Sequence, residues 1–274
     1  MIYYCMESGG GVSCDASPSV DRTLQILYNR KILMQKTKDM IALVTGAGSG
    51  IGRAIALKLA KMGMNIALCG RREERLWEVA EKTGRPEDML VIAGDLTDET
   101  HLVSCIAITK ARFGGLDVLV NNAGMALNRP FGETSTEEFD RIMAINVRTP
   151  FLLTREALPL LKESDRATVI NIGSVVSYSG YADQAAYSAS KHALLGMTKA
   201  LAREVWQDGV RVHLIAPGGV DTDMVRIARP DLNTDGMIQA QEVADAAAYL
   251  ISHRGNAVID EIRLHRVGKE PFVT

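Results

Sequence analysis

The chain has 274 residues, with 31 Lys and Arg against 33 Asp and Glu and a formal charge of −2. Hydrophobic residues make up 47% and charged residues 23%, an ordinary globular composition that excludes a strongly basic nucleic-acid binder and an acidic disordered chain. The 24 glycines against 8 prolines suit a fold with many tight strand-to-helix turns.

Residues 1–33 carry no sustained hydrophobic period. They begin MIYYCMESGG, without the basic region and long apolar stretch of a signal peptide. They are expected to form a poorly ordered N-terminal extension, with Met34 and Met40 as alternative starts and a docking arm as the functional alternative. The body, 34–274, is expected to be one domain, since no Pro-, Gly- or Ser-rich linker divides it.

In the body, Met40–Thr45 is a short apolar run ending at glycine, the pattern of a strand buried on both faces. Ile51, Ile55, Leu59 and Met62 recur at helical spacing, and Gly63 ends that helix. Strand and helix then alternate: Asn65–Cys69 and Glu73–Lys82, Met89–Ala93 and Glu99–Phe113, then a strand at Leu116–Val120. Thr136–Leu161 is a long helical pattern expected to bend near Pro150 or end near Pro159. Ala167–Ile172, Val210–Ile215 and Ala257–Leu264 complete the strands, separated by helices at Ala185–Gln207 and Gln241–His253. Seven strands interleaved with helices predict a mainly parallel sheet with helices on both faces, a doubly wound Rossmann-type α/β domain.

Cys5, Cys14, Cys69 and Cys105 form no CxxC, so free thiols and a cytoplasmic protein are expected. His101, His192, His213, His253 and His265 show no metal-ligand spacing, so no metal is expected. No apolar run reaches the roughly 18 residues of a membrane span, so no membrane partner is expected, and the formal charge of −2 gives no expectation of a nucleic-acid partner.

The first strand runs into Thr45-Gly-Ala-Gly-Ser-Gly-Ile-Gly52, and a helix follows. Glycine lets a ligand approach the backbone, and the helix aims free N–H groups at the same place, so a dinucleotide diphosphate fits there. The same loop also reads as a purely structural turn; its spacing is not a strict GxGxxG, and no Gly-Lys-Ser/Thr supports a triphosphate site. A carboxylate at the end of the second strand would bind the ribose hydroxyls. This chain has Cys69-Gly-Arg-Arg72 instead, so Arg71 and Arg72 favour a 2′-phosphate and NADP(H), with NAD(H) the alternative. The plainer reading is that both arginines cap a solvated helix start.

Tyr187 and Lys191, four apart, share one helix face. An ammonium beside a phenol lowers its pKa from about 10 and makes it a better acid/base near neutrality. Such a pair alone is commonplace. Ser174, just after the fifth strand, stands where doubly wound sheets bind ligands and is suited to hold a reacting oxygen; it equally fits an ordinary turn. Asn146 is a poor helix-interior residue, expected to bend its helix and hold a water beside Lys191, or to be structural only.

Together these motifs resemble the short-chain dehydrogenase/reductase family in its main branch, over roughly residues 38–264. Thr45–Gly52 is similar to its TGxxxGIG loop, Asn121-Asn-Ala-Gly124 to NNAG, Tyr187-Ser-Ala-Ser-Lys191 to YxxxK and Pro217–Thr222 to PGxVxT. The resemblance implies a catalytic tetrad of Asn146, Ser174, Tyr187 and Lys191, with Tyr187 the general acid/base, Lys191 also holding the nicotinamide ribose, and Asn146 anchoring a relay water. It implies that Gly46, Ser49, Gly50, Ile51 and Gly52 cradle the diphosphate and that Arg71, Arg72, Asp95, Leu96, Asn122, Ala123 and Gly124 line the adenosine side. Pro217, Gly218, Val220 and Thr222 would border the nicotinamide. It also implies a homodimer or homotetramer built on the helices that hold Asn146 and Tyr187.

Two departures stand out. Oligomer-forming members often end near a VDGG pattern, whereas this chain ends in a polar, charged tail after Leu264. The stretch 223–241, with Met224, Val225, Ile227 and Met237, is shorter than the lid of extended members, so an open pocket is expected. The pocket wall is expected from Met125, Ser174, Val175, Tyr181, Gly218 and Met224, mostly apolar. The leading expectation is hydride transfer between NADP(H) and a carbonyl or secondary alcohol of 3-oxoacyl or small-ketone type. The alternatives are an NAD-dependent dehydrogenase of a polyol or hydroxysteroid-like alcohol, and a non-catalytic nucleotide sensor on the same fold.

Overall fold

The computed structural model describes residues 37–228 and 233–270. The extension 1–33, with Cys5, Cys14 and the alternative start Met34, lies outside the described residues, as does part of the stretch 223–241.

Seven strands, β1 (Ile41–Thr45), β2 (Asn65–Gly70), β3 (Met89–Ala93), β4 (Val118–Asn121), β5 (Thr168–Ile172), β6 (Arg211–Pro217) and β7 (Glu261–Leu264), form one sheet in the order β3-β2-β1-β4-β5-β6-β7. Every pairing is parallel, so the sheet is wholly rather than mainly parallel. The chain winds outward from β1 to β3 and then crosses back to lay β4 against β1. Connections therefore leave β1 and β4 in opposite directions, which opens a crevice at their carboxyl ends.

Parallel strands need crossover helices, so both sheet faces are covered and side chains of both parities are apolar. Ala42 and Val44 face α1 (Gly50–Lys61), α2 (Glu73–Lys82) and α8 (Ala240–Ser252), where Ile55, Leu59, Leu76 and Val243 are buried. Leu43, Leu119 and Val169 face the other layer, where Leu102 and Ile106 of α3 (Glu99–Phe113), Leu153 and Leu161 of α5 (Thr149–Glu163) and Val205 of α6 (Ala185–Val205) are buried. The remaining helices are α4 (Thr136–Met143) and the short α7 (Asp223–Ala228).

The long helix expected over Thr136–Leu161 is divided by a π-helical turn, Ala144–Arg148, between α4 and α5. The interruption is centred on Asn146, four residues before Pro150, whose missing N–H leaves the Asn146 carbonyl without its α-helical partner; α5 continues past Pro159 to Glu163. At the far edge, β7 starts at Glu261 rather than Ala257, because Leu214 of β6 is the first residue with a β7 partner.

Candidate active site

The crevice begins where β1 ends. Thr45 Oγ1 accepts hydrogen bonds from the Asn122 and Ala123 N–H groups, both at 2.9 Å, and donates to the Val120 carbonyl at 3.1 Å. The Asn122 carboxamide donates to the Thr45 carbonyl at 2.8 Å. This locks the ends of β1 and β4 side by side, so Asn122 acts on the loop itself. Gly46 takes φ +65°, and a Cβ there would stand 2.8 Å from Asn122 Nδ2. A Cβ on Gly52 would collide with the Gly46 carbonyl and with Asn122. Only glycine lets the first turn of α1 come this close beneath the loop, with its free N–H groups turned to the crevice.

A cavity of about 660 Å³ runs from this loop in both directions, a size that suits a small-molecule ligand. Towards β2 and β3 it is lined by Gly70, Arg71, Arg72, Asp95 and Leu96, and beneath the loop by Ser49, Gly50, Ile51, Asn122, Ala123 and Gly124. Towards β5 and β6 the wall is Met125, Ser174, Tyr187, Lys191, Pro217, Gly218, Val220, Thr222 and Met224. The fold therefore gathers nearly all the residues singled out in the sequence around one space.

At the β2 end, Arg72 donates to Ser49 Oγ at 3.3 Å. The Asp95 carboxyl is held below its ordinary range by hydrogen bonds from the Thr97 N–H and hydroxyl, at 2.9 and 2.8 Å, with Arg71 adding its charge. No carboxylate faces Arg71 and Arg72 from Gly70, and both arginines border the cavity.

At the β5 end, Ser174 starts a single 3-10 turn, Val175–Ser177, and its hydroxyl lies beside the Tyr187 phenol, both on the cavity wall. Lys191, one turn along α6 and 6% exposed, donates from Nζ to the Ile172 carbonyl at 2.8 Å. Burial lowers Lys191 to about 8. Burial also raises Tyr187, and the neighbouring Ser174 hydroxyl works the other way without prevailing. The protein alone thus holds the phenol above its ordinary value, contrary to the lowering expected from Lys191. Loss of solvation outweighs the pull of Ser174.

Asn146 is buried behind the cavity wall. Its Oδ1 accepts from the Met125 N–H at 2.9 Å, while Nδ2 donates to the Met125 carbonyl at 2.9 Å and to Ser190 Oγ at 3.0 Å. Ser190 in turn donates to the Tyr187 carbonyl at 2.7 Å. Both carboxamide hydrogens are engaged, so the side chain ties the strand β4 loop to α6 rather than reaching toward a water beside Lys191.

Gly52 also lies behind the wall. Val175 and Tyr181, expected in the pocket, do not line the cavity. Val175 packs beside Gly218, its Cγ1 3.7 Å from where a Cβ on Gly218 would be, and Tyr181 is 49% exposed on the following loop. Tyr178 is turned away as well: its hydroxyl donates to Glu261 at 2.5 Å, its ring lies under Arg263, and burial followed by Glu261 pushes it up to about 12. Leu76, Arg141, Ile145, Asp223 and Val225 also line the cavity, although no motif marks them. Leu76 sits on α2 and reaches Gly70 only through the packing of that helix on β2. Among the described residues no cluster of His, Cys, Asp or Glu could hold a metal ion, and no helix is long and apolar enough to cross a membrane.

A dinucleotide crevice with a Ser–Tyr–Lys group at one end defines a Rossmann-type oxidoreductase. The family model for short chain dehydrogenases matches residues 40–233, and the chain belongs to that family, whose enzymes act on CH–OH groups. An uncharacterized oxidoreductase of Staphylococcus epidermidis is 32% identical over 85% of this chain and 100% of its own length. A solved dehydrogenase/reductase of Sinorhizobium meliloti is 33% identical with TM-score 0.76, covering 85% of this chain and 97% of that one. A 3-ketoacyl-(acyl-carrier-protein) reductase of Brucella melitensis, solved in complex with NADH, is 29% identical with TM-score 0.76 over 83% and 96% of the two chains.

Proposed function

We propose that the protein transfers hydride between NADP(H) and a carbonyl or secondary alcohol of 3-oxoacyl or small-ketone type, with Tyr187 as general acid/base. The observation that carries this reading is one cavity with Ser174, Tyr187 and Lys191 at one end and Arg71 and Arg72 at the other.

The residues present fit a nicotinamide dinucleotide. Gly46 and Gly52 leave a cradle that any side chain would fill, and α1 presents its N-terminus there. When bound, that cofactor supplies or accepts the hydride. Ser174 and Tyr187 both direct hydroxyls at the substrate oxygen. Tyr187 gives that oxygen a proton in reduction and removes it in oxidation. Ser174 holds the oxygen and stabilises charge as it develops. Lys191, fixed by the Ile172 carbonyl, keeps positive charge beside the phenol; together with an oxidised nicotinamide it opposes the burial that raises Tyr187. The π-helical turn at Asn146 breaks the i→i−4 ladder and leaves backbone acceptors there for a relay water.

Arg71 and Arg72 support NADP(H), since a guanidinium forms charge-assisted bonds with a 2′-phosphate. The NADH-bound reductase neighbour favours the second reading, an NAD(H)-dependent enzyme. A screen of NADPH and NADH oxidation across ketones, 3-oxoacyl thioesters and sugars decides between them. The expected result is turnover of a ketone or 3-oxoacyl thioester with a preference for NADPH. Tyr187→Phe should lower kcat by about 10²–10⁴ while cofactor still binds. Preference for NADH overturns the cofactor assignment, and full activity in Tyr187→Phe overturns the mechanism. Binding of cofactor without turnover of any substrate would place the protein with the nucleotide sensors.

A further inference from the structure

Four side chains, Tyr178, Lys199, Glu261 and Arg263, meet at the β7 edge of the sheet, and the reaction just described gives them no part. Tyr178 closes the 3-10 turn that Ser174 opens. The Ser177 N–H donates to the Ser174 carbonyl at 2.9 Å, and the Tyr178 N–H to the Val175 carbonyl at 3.1 Å. The Tyr178 ring packs against the small cluster of Leu195, Leu214 and Ala216, and its hydroxyl donates to Glu261 on β7 at 2.5 Å. Glu261 also pairs with Lys199 Nζ at 3.2 Å and with Arg263 at 3.3 Å. The Arg263 guanidinium lies 3.5 Å from the Tyr178 ring centroid and covers the cluster.

One carboxylate thus joins the two parts of the reacting group. Through Tyr178 it holds the turn that begins at Ser174. Through Lys199 it holds α6, the helix that carries Tyr187 and Lys191. The side-chain ties inside the turn are long: Ser177 Oγ accepts from the Ser174 N–H at 3.2 Å, and Ser174 Oγ from the Val176 N–H at 3.4 Å. The bond from Tyr178 to Glu261 is shorter, charge-assisted and between half-buried groups, so it is the stronger anchor. Anchorage matters here because a reacting group displaced by about 1 Å loses about a hundredfold in rate.

We propose that Glu261 is a positioning residue which, by holding the Tyr178 hydroxyl and Lys199 together, sets the Ser174 hydroxyl against the Tyr187 phenol. The proposal rests on the oxidoreductase reading of that site. Neither Glu261 nor Tyr178 lines the cavity, so both act through Ser174.

The full chain is assayed with NADPH and with acetoacetyl-coenzyme A as the probe. Tyr178→Phe keeps the ring and removes only the tie to Glu261. It should lower kcat about ten- to hundredfold and leave the KM for NADPH unchanged. Glu261→Gln, which still accepts from the Tyr178 hydroxyl, should keep most of the rate that Glu261→Ala loses. In a Ser174→Ala background Tyr178→Phe should cost nothing further, because the group it positions is gone. The carbon-13 signal of the Tyr187 Cζ, assigned by its loss in Tyr187→Phe, should move in Tyr178→Phe toward its position in Ser174→Ala. A wild-type kcat in Tyr178→Phe, a cost that persists in full in Ser174→Ala, or an unmoved Tyr187 signal overturns the proposal. If the wild type leaves the probe unreduced but the signal moves as expected, the reductase reading fails for 3-oxoacyl thioesters and the positioning stands. If the probe is unreduced and the signal does not move, both fail.

Discussion

At the scale of single residues, Lys191 shows how this site trades stability for charge placement. An ammonium that is 6% exposed, with one carbonyl partner at 2.8 Å, is a costly group to bury. Its folded pKa of about 8 lies below the value of roughly 10.4 that an unfolded lysine has. Below pH 8 both states are protonated and the full penalty is present. Between about pH 8 and 10.4 the unfolded state binds more protons, so the penalty fades as pH rises. Lys191→Met removes the titrating group. The difference in unfolding free energy, variant minus wild type, should therefore fall as pH rises from 8 to 10, measured by urea denaturation at each pH. A difference that stays flat over that range contradicts a buried charge at Lys191. The Tyr187–Lys191 pair was legible in the sequence because both members sit on one helix face. The direction of the Tyr187 shift was not, because burial is set by β5, α6 and the loop after β4 together.

Elements were legible where the local pattern and the packing agree. Glu73–Lys82 and Met89–Ala93 form as the spacing predicts: the helix buries Leu76, Val79 and Ala80 on one face, the strand sends Met89 and Ile92 into opposite layers, and turn residues bound both. The pattern misled at Pro159, which α5 runs past to Glu163; the break between α4 and α5 is the π-helical turn at Asn146, the poor helix-interior residue four places before Pro150. That turn is held by three hydrogen bonds from one carboxamide, two of them to the Met125 backbone and one to Ser190. Asn146→Ala leaves both Met125 backbone groups without these partners, at roughly 1–3 kcal/mol for each buried group. Thermal or urea unfolding should show a loss of about 2–4 kcal/mol, against about 1–2 kcal/mol for Ser190→Ala, which removes the outer bond and the bond to the Tyr187 carbonyl but leaves both Met125 groups paired. Equal costs for the two variants would mean that Asn146 does not hold the β4 loop. The same comparison separates scaffold from chemistry, because Ser190→Ala should leave Tyr187 in place and much of the activity intact.

At the scale of the whole molecule, the alternation of strand and helix carried the doubly wound topology, and the β1–β4 reversal alone places the crevice. Assembly is less legible, because it depends on which outer faces remain apolar once the layers close. Phe139 on α4 and Phe151 on α5 remain 42% and 53% exposed. These are large apolar groups on the helices through which the family resemblance implies association, and such surface is uncommon on a monomer when it is contiguous. The β7 edge is different in kind. Its strand is only four residues long and carries Glu261 and Arg263, and short charged edges resist pairing with another sheet. A homodimer through α4 and α5 is therefore expected in preference to a tetramer that also uses β7. Light scattering should give a mass near twice the 29.8 kDa of one chain. Phe151→Glu, which sets a charge on that exposed surface at a residue that does not line the cavity, should move the mass to that of a single chain at micromolar concentration. A wild-type protein that already runs as a single chain would remove the α4–α5 contact, and a fourfold mass that survives Phe151→Glu would point to the β7 edge after all.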